Sequence, residues 1–186
     1  VLLIFGLALL PKLLARPPEG SLQVDVTGIQ WWWRVRYPIG DGELVETANE
    51  IRLPVGQPVE IHLQSTDVIH SFWVPSLGGK VDAIPGPQTR LTLEPTQTGT
   101  YRGVCAEYCG EAHAWMFFHV VLMEQVEFHN WLSRQRQTAV TPSEPEALRG
   151  QSLFLTNGCG ACHTVRGTPA DGGVGPDLTH VGSRLS

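Results

Sequence analysis

The chain has 186 residues, enough for one ordinary domain and a smaller unit beside it. With 42% hydrophobic and 17% charged residues it is neither a disordered chain nor one embedded throughout in a membrane. A net charge of −5 argues against nucleic acid as a partner. Asp and Glu outnumber Lys and Arg by twelve to six between residues 20 and 125. That balance suits either plain solubility or the steering of a basic partner.

The chain opens V-L-L-I-F-G-L-A-L-L, an apolar run over residues 1–10. This is shorter than the ~20 residues a bilayer crossing needs. It reads either as the core of a signal peptide or as the last part of a transmembrane helix. Lys12 and Arg16 stand where an interfacial boundary would fall, and Pro17-Pro18 stops any helix.

Residues 21–37 are rich in Val and Trp, which predicts strands. Strand side chains alternate, so Trp31 and Trp33 should share one face and Trp32 the other. At least one of the three is then directed toward solvent or a partner. Residues 43–64 predict further strands, with a turn at P-V-G-Q-P. His62 alternates with Ile61 and Leu63 and so points to the surface. D-V-I-H-S-F-W-V-P (67–75) carries His70. Asp67, three residues earlier, fits either an orienting role beside the ligand loop or a turn cap. After a Gly- and Pro-rich loop come strands at 91–93, 98–104 and 117–123. Short strands with regular turn signals indicate an all-β sandwich or barrel.

Residues 105–116 read C-A-E-Y-C-G-E-A-H-A-W-M, placing Cys105, Cys109, His113 and Met116 within twelve residues. Thiolate and thioether are soft donors and imidazole is borderline, a set that favours copper. A mononuclear blue-copper site needs one Cys, but this loop has two. Two thiolates can bridge two metal ions, each then taking one imidazole. His113 supplies one, and His70 is the best candidate for the other. Zinc, for which Met is not a usual ligand, and a Cys105–Cys109 disulfide remain alternatives on spacing alone.

Residues 126–137 predict a short helix, and 138–146 has the Pro, Ser and Thr content of a linker. His119 and His129 belong to no motif and read as structural. A helical apolar pattern from Glu146 to Asn157 runs into Cys159-Gly160-Ala161-Cys162-His163. C-x-x-C-H is the c-type haem attachment signature, two thiols for the vinyl groups and an imidazole for the iron. Both Cys pairs are thus assigned to cofactors, and no structural disulfide is expected. The only Met residues are Met116 and Met123, so the usual downstream Met ligand is not in this sequence. A sixth haem ligand is then expected beyond Ser186, with His180, which otherwise reads as a surface residue, as the alternative.

Three ordered blocks, G-I-Q-W-W-W-R-V-R-Y (28–37), D-V-I-H-S-F-W-V-P-S-L-G-G-K-V-D-A-I-P-G (67–86) and the 105–116 loop, resemble subunit II of cytochrome c oxidase. Residues 173–184 resemble the segment after the haem motif in versions with a fused cytochrome c domain. Where the family usually has His and Tyr in the first block, this chain has Ile29 and Trp32. The resemblance implies an all-β cupredoxin-like Greek-key domain over 20–125. It is preceded by the end of a transmembrane helix (1–16) and followed by a short helix and linker (126–145). The start of an α-helical cytochrome c domain (146–186) comes last.

The implied dinuclear copper (CuA) ligands are His70, Cys105, Glu107 through its carbonyl, Cys109, His113 and Met116. The Glu107 carboxylate would help hold a magnesium or manganese ion shared with subunit I. Trp31 would be the electron-entry residue, and covalent haem c would attach through Cys159, Cys162 and His163. The implied partners are subunit I, the other oxidase subunits, and cytochrome c or another upstream donor. The implied location is the bacterial inner membrane, with both redox domains on the extracytoplasmic side. A stand-alone copper and haem carrier, or a nitrous-oxide-reductase-like copper protein, are the competing readings.

Overall fold

A computed structural model describes residues 1–14, 17–40 and 42–185. Helix α1 spans Leu2–Leu14, and Leu2, Leu3, Ile4 and Phe5 are all exposed. No helix among the described residues is long and apolar enough to cross a membrane. The boundary residue Arg16 lies outside the described residues.

Ten strands follow. They are β1 (Leu22–Ile29), β2 (Trp32–Pro38), β3 (Leu44–Ala48), β4 (Glu50–Pro54), β5 (Val59–Ser65), β6 (His70–Trp73), β7 (Val81–Ala83), β8 (Thr89–Leu93), β9 (Gly99–Cys105) and β10 (Phe117–Met123). They form two five-stranded sheets, ordered β3-β2-β1-β5-β8 and β4-β10-β9-β6-β7. Pairing is mostly antiparallel, but β1 with β5 and β4 with β10 are parallel.

The alternation read in the sequence places the core. In β2, Trp33, Val35 and Tyr37 are fully buried while Trp32, Arg34 and Arg36 face outward. Ile61 and Leu63 are buried, and His62 points outward between Asp25 (3.1 Å) and Glu60 (3.3 Å). Trp33 meets Phe72 and Phe118 edge-on between the sheets, at centroid distances of 5.7 and 5.5 Å. Each such burial contributes about 1.5–3 kcal/mol.

Trp31 departs from simple alternation. It lies in the β1–β2 turn rather than in a strand, and so shares no strand face with Trp33.

The chain crosses from one sheet to the other at Asn49, whose φ of 55° is left-handed. Asn tolerates this region better than most residues. Its side chain accepts the Trp33 N–H (2.8 Å) and its own N–H donates to the Trp33 carbonyl (3.0 Å). Its carbonyl in turn accepts the His119 N–H. The corner is therefore hydrogen-bonded into both sheets.

Helix α2 (Gln125–Gln135) lies where the helical pattern put it. It buries Phe128 and Trp131 against Tyr37, at centroid distances of 6.2 and 5.2 Å. After an extended stretch, α3 (Pro145–Thr156) starts with Pro145 in its first turn, where a missing N–H is harmless. None of its residues is buried, and Leu148, Leu153 and Leu155 remain exposed.

Candidate metal centre and haem-attachment segment

Two loops at one end of the sandwich bring His70 and the 105–116 segment together. β6 begins at His70, and β9 ends at Cys105, so both are fixed by the same sheet. Phe72 of β6 pairs with Cys105 of β9. Before β10 resumes, the loop makes one short 3-10 turn, His113–Trp115.

His70 Nδ1 is 3.9 Å from Cys105 Sγ, which is 3.9 Å from Cys109 Sγ. Cys109 Sγ lies 3.6 Å from His113 Nδ1 and 3.8 Å from Met116 Sδ. Cys105 Sγ also lies 3.2 Å from the Glu107 carbonyl oxygen. His70, Cys105, Cys109 and Met116 are buried, while Glu107 directs its side chain to solvent. The potential ligand atoms of His70, Cys105 and Cys109 lie within 4.8 Å of one another, a group able to hold a metal ion. The two sulfurs are well beyond the ~2.05 Å of a disulfide bond.

The surroundings fix this cluster. Asp67 Oδ1 accepts from His70 Nε2 at 2.8 Å, which leaves Nδ1 as the lone-pair nitrogen facing the thiols. The same oxygen also accepts the adjacent Val68 N–H (2.7 Å), so Asp67 sits in the orienting position beside His70. Asp67 Oδ2 accepts the Gln30 N–H at 2.7 Å. The Gln30 side chain and the Trp31 indole N–H both donate to the Cys109 carbonyl, at 2.8 and 3.0 Å. The β1–β2 turn therefore ties the Asp67–His70 loop to the two-Cys loop.

Sequence reasoning missed Gln30 and Gly28. A Cβ on Gly28 would sit 2.6 Å from the His70 ring. The signal was available in part, since Gly28 stands at an inward position of an otherwise Val-lined strand.

Charge follows geometry. Burial raises the Asp67 carboxyl, but bonds from the Gln30 N–H, His70 and the Val68 N–H outweigh it and hold it below the usual carboxylate range. Burial lowers His70, but Cys105 and Asp67 outweigh it and raise it. Burial pushes the Cys105 thiol up, yet hydrogen bonding to His70 and to the Ser71 and Glu107 backbone brings it well below an ordinary thiol. Burial, then the charge on Cys105, push Cys109 up. The pair thus gives up its first proton readily and its second reluctantly unless a cation takes its place.

In the C-terminal segment, Cys159 and Cys162 are exposed free thiols on a short turn after α3. His163 Nδ1 donates to the Pro176 carbonyl at 2.9 Å, leaving Nε2 as its free nitrogen. Gly175 makes room for it, since a Cβ there would meet the imidazole at 2.5 Å.

The fold and its buried His/Cys/Cys group define a cupredoxin-like β-sandwich with a candidate soft-donor metal site at one end. Residues 38–124 match the family described as cytochrome c oxidase subunit II, periplasmic domain, and residues 147–186 match cytochrome c. A cytochrome c oxidase subunit 2 from Alkalihalophilus pseudofirmus is 37% identical over 166 residues, 89% of this chain and 47% of that protein. One from Thermostichus vulcanus is 40% identical over 141 residues, 75% of this chain and 41% of that protein. The periplasmic domain of cytochrome oxidase subunit II from Bradyrhizobium japonicum superposes with a TM-score of 0.60 at 31% identity. That match covers 65% of this chain and 97% of the other. The chain spans about half the length of the curated relatives it matches. It belongs to the cytochrome c oxidase subunit II family.

Proposed function

We propose that this chain is the electron-transfer portion of a haem–copper oxidase. It would receive electrons at a c-type haem and pass them through a dinuclear copper centre toward oxygen-reducing subunit I. The observation that carries the reading is the convergence of two thiols, two imidazoles, a thioether and the Glu107 carbonyl in one cluster. The Met116 thioether is not a usual zinc ligand, and two thiolates flanked by two imidazoles suit a pair of copper ions. Bound there, the copper pair would supply a one-electron relay.

The residues' part is to hold that relay still. His70 is oriented by Asp67, and the Cys109 carbonyl is held by Gln30 and Trp31. A donor set fixed by a sandwich and a hydrogen-bonded turn undergoes little rearrangement when charge changes. The Trp31 indole, bonded to the Cys109 backbone, supports its assignment as electron-entry residue. The exposed Glu107 side chain supports a carboxylate offered to magnesium or manganese at the contact with subunit I.

Cys159 and Cys162 would form thioethers to the haem vinyl groups. His163, held at Nδ1 by the Pro176 carbonyl, would offer Nε2 to the iron. On this reading residues 1–16 are the end of a transmembrane helix, 20–125 the copper domain, 126–145 the short helix and linker, and 146–186 part of a cytochrome c domain. Both redox domains then lie on the extracytoplasmic side of the cell membrane, with oxidase subunits and cytochrome c or a similar donor as partners.

The test is copper and haem analysis with optical and EPR spectra of the chain made in an oxidising, haem-ligating host. Two coppers sharing one unpaired electron, and one covalent haem, are expected. One copper with a blue-type spectrum would indicate a mononuclear carrier, and zinc or a Cys105–Cys109 disulfide would overturn the reading.

A further inference from the structure

The C-terminal segment is bonded to three elements of the rest of the chain. From β2, the Arg34 guanidinium donates to the Gly173 carbonyl at 2.6 Å. The same group lies over the Trp32 ring at 4.9 Å and pairs with Glu46 at 3.4 Å. From β4, the buried Glu50 accepts the Leu185 N–H at 2.7 Å. Its partner Arg52 donates to the Ser183 carbonyl at 3.3 Å.

The third contact is at the end of α2, whose last carbonyls have no partner within the helix. There the Gln135 and Arg136 carbonyls accept from Arg166 at 2.6 and 3.3 Å. A cation at that end also meets the negative pole of the helix.

These contacts reach the haem-attachment turn directly. The Gly172 N–H donates to the Gly160 carbonyl at 3.0 Å, and a Cβ on Gly172 would strike the Ala161 backbone at 2.5 Å. Gly173, the residue that Arg34 holds, is thus one peptide from a backbone packed on Cys159–Cys162.

We propose that Arg34, Glu50, Arg52 and Arg166 form a latch that docks residues 159–185 in one orientation against the outer side of β2, where Trp32 lies under Arg34. A tether alone confines a partner to an effective concentration of roughly millimolar and leaves its orientation free. Attachment at one point would still swivel, whereas bonds to β2, β4 and α2 fix orientation too. The indole beside the docked segment is then Trp32, on the solvent side of β2, and not Trp31 in the turn. The use of the latch rests on the haem reading of Cys159–His163, but the contacts stand without it.

The experiment is backbone 15N relaxation of the full chain in detergent micelles, comparing wild type with Arg34→Gln and with Arg34→Gln/Arg166→Gln. In wild type, α3 and the strands should report one correlation time. In the double variant the α3 value should fall about twofold or more, with the strands little changed and α3 order parameters still near those of rigid backbone. Arg34→Gln alone keeps every bond inside the segment. It should raise the exchange rate of the Leu185 N–H about tenfold, a readout that stands even if the double variant unfolds the segment. A wild-type α3 that tumbles faster than the sandwich would overturn the latch, as would variants indistinguishable from wild type. Neither readout needs copper or haem, so loss of the centres in the spectra would count against the redox reading and leave the latch to be judged on its own.

Discussion

Gly28→Ala tests whether His70, the proposed first copper ligand, is held by close packing of β1. Gly28 pairs with Trp33 on one side and Ser65 on the other, in the middle of its sheet. An added methyl would lie 2.6 Å from His70 Cδ2 and 2.9 Å from Cγ. Ordinary carbon contacts begin near 3.5 Å, so ring or strand must retreat by about 1 Å. The ring has nowhere to go, because it is fully buried, edge-on to Trp33, and bonded to Asp67. Overpacking of this kind costs about 1–3 kcal/mol. Loss of the Asp67 bond adds about 1 kcal/mol, partly offset by about 0.4–1 kcal/mol from a stiffer unfolded chain. A net loss of about 1–3 kcal/mol corresponds to a fall of about 1 M in urea midpoint at an ordinary slope. The assay is urea unfolding of the metal-free protein followed by Trp fluorescence, with copper titration in parallel. An unchanged midpoint together with unchanged copper affinity would refute the packing argument.

Three further outcomes are expected. Tyr37→Phe removes the hydroxyl that accepts the Arg52 N–H at 2.8 Å and donates to the Arg52 carbonyl at 3.2 Å, in a fully buried position. It should lower stability by about 1–3 kcal/mol, and a calorimetric midpoint equal to wild type would show that water replaces the hydroxyl. Asp67→Asn in metal-free protein should narrow a pH window. The depressed Asp67 carboxyl contributes above its unfolded value, near pH 4, and loses that contribution as pH falls through its folded value. The raised His70 contributes below about pH 6.5 and loses that contribution as pH rises through its folded value. The wild-type advantage should therefore peak between about pH 4 and 6.5, and a pH-independent difference in urea midpoints would contradict the pairing. Cys105→Ser/Cys109→Ser should keep the sandwich, by circular dichroism, and lose copper. Stoichiometric copper in that double variant would mean the site is misassigned.

What the sequence made legible is what repeats locally. Alternation along β5 set Ile61 and Leu63 on one face and His62 on the other, and the structure buries the first two and leaves His62 outside, because period-two patterning carries the burial of each face. The ligand types and spacing of 105–116 pointed to a soft metal centre before any geometry was known. The turn chemistry of 28–31 was not legible. Whether Trp31 continues a strand or turns its indole to the Cys109 carbonyl depends on a partner 78 residues away. The same limit hid Gln30, whose backbone N–H and side chain serve two different loops. It also hid the Arg34–Gly173 contact, where an outward strand residue reads as ordinary surface charge until the segment 139 residues later is laid against it.

The division of labour in the site follows from that difference. The candidate metal ligands are named by chemistry, and one loop supplies most of them. What the sandwich adds is the removal of alternatives. His70 has one ring nitrogen occupied by Asp67, one face filled by the β1 backbone at Gly28, and so a single nitrogen left to face Cys105. Cys109 has its carbonyl taken by two donors from the β1–β2 turn, so its sulfur is carried to one position between Cys105, His113 and Met116. Because Asp67 is itself held by the Gln30 N–H, the two ligand loops cannot move independently. A change at Gly28, Gln30 or Asp67 should therefore appear first in the copper spectrum and affinity, before the fold is lost, although none of the three offers a side-chain atom to the metal.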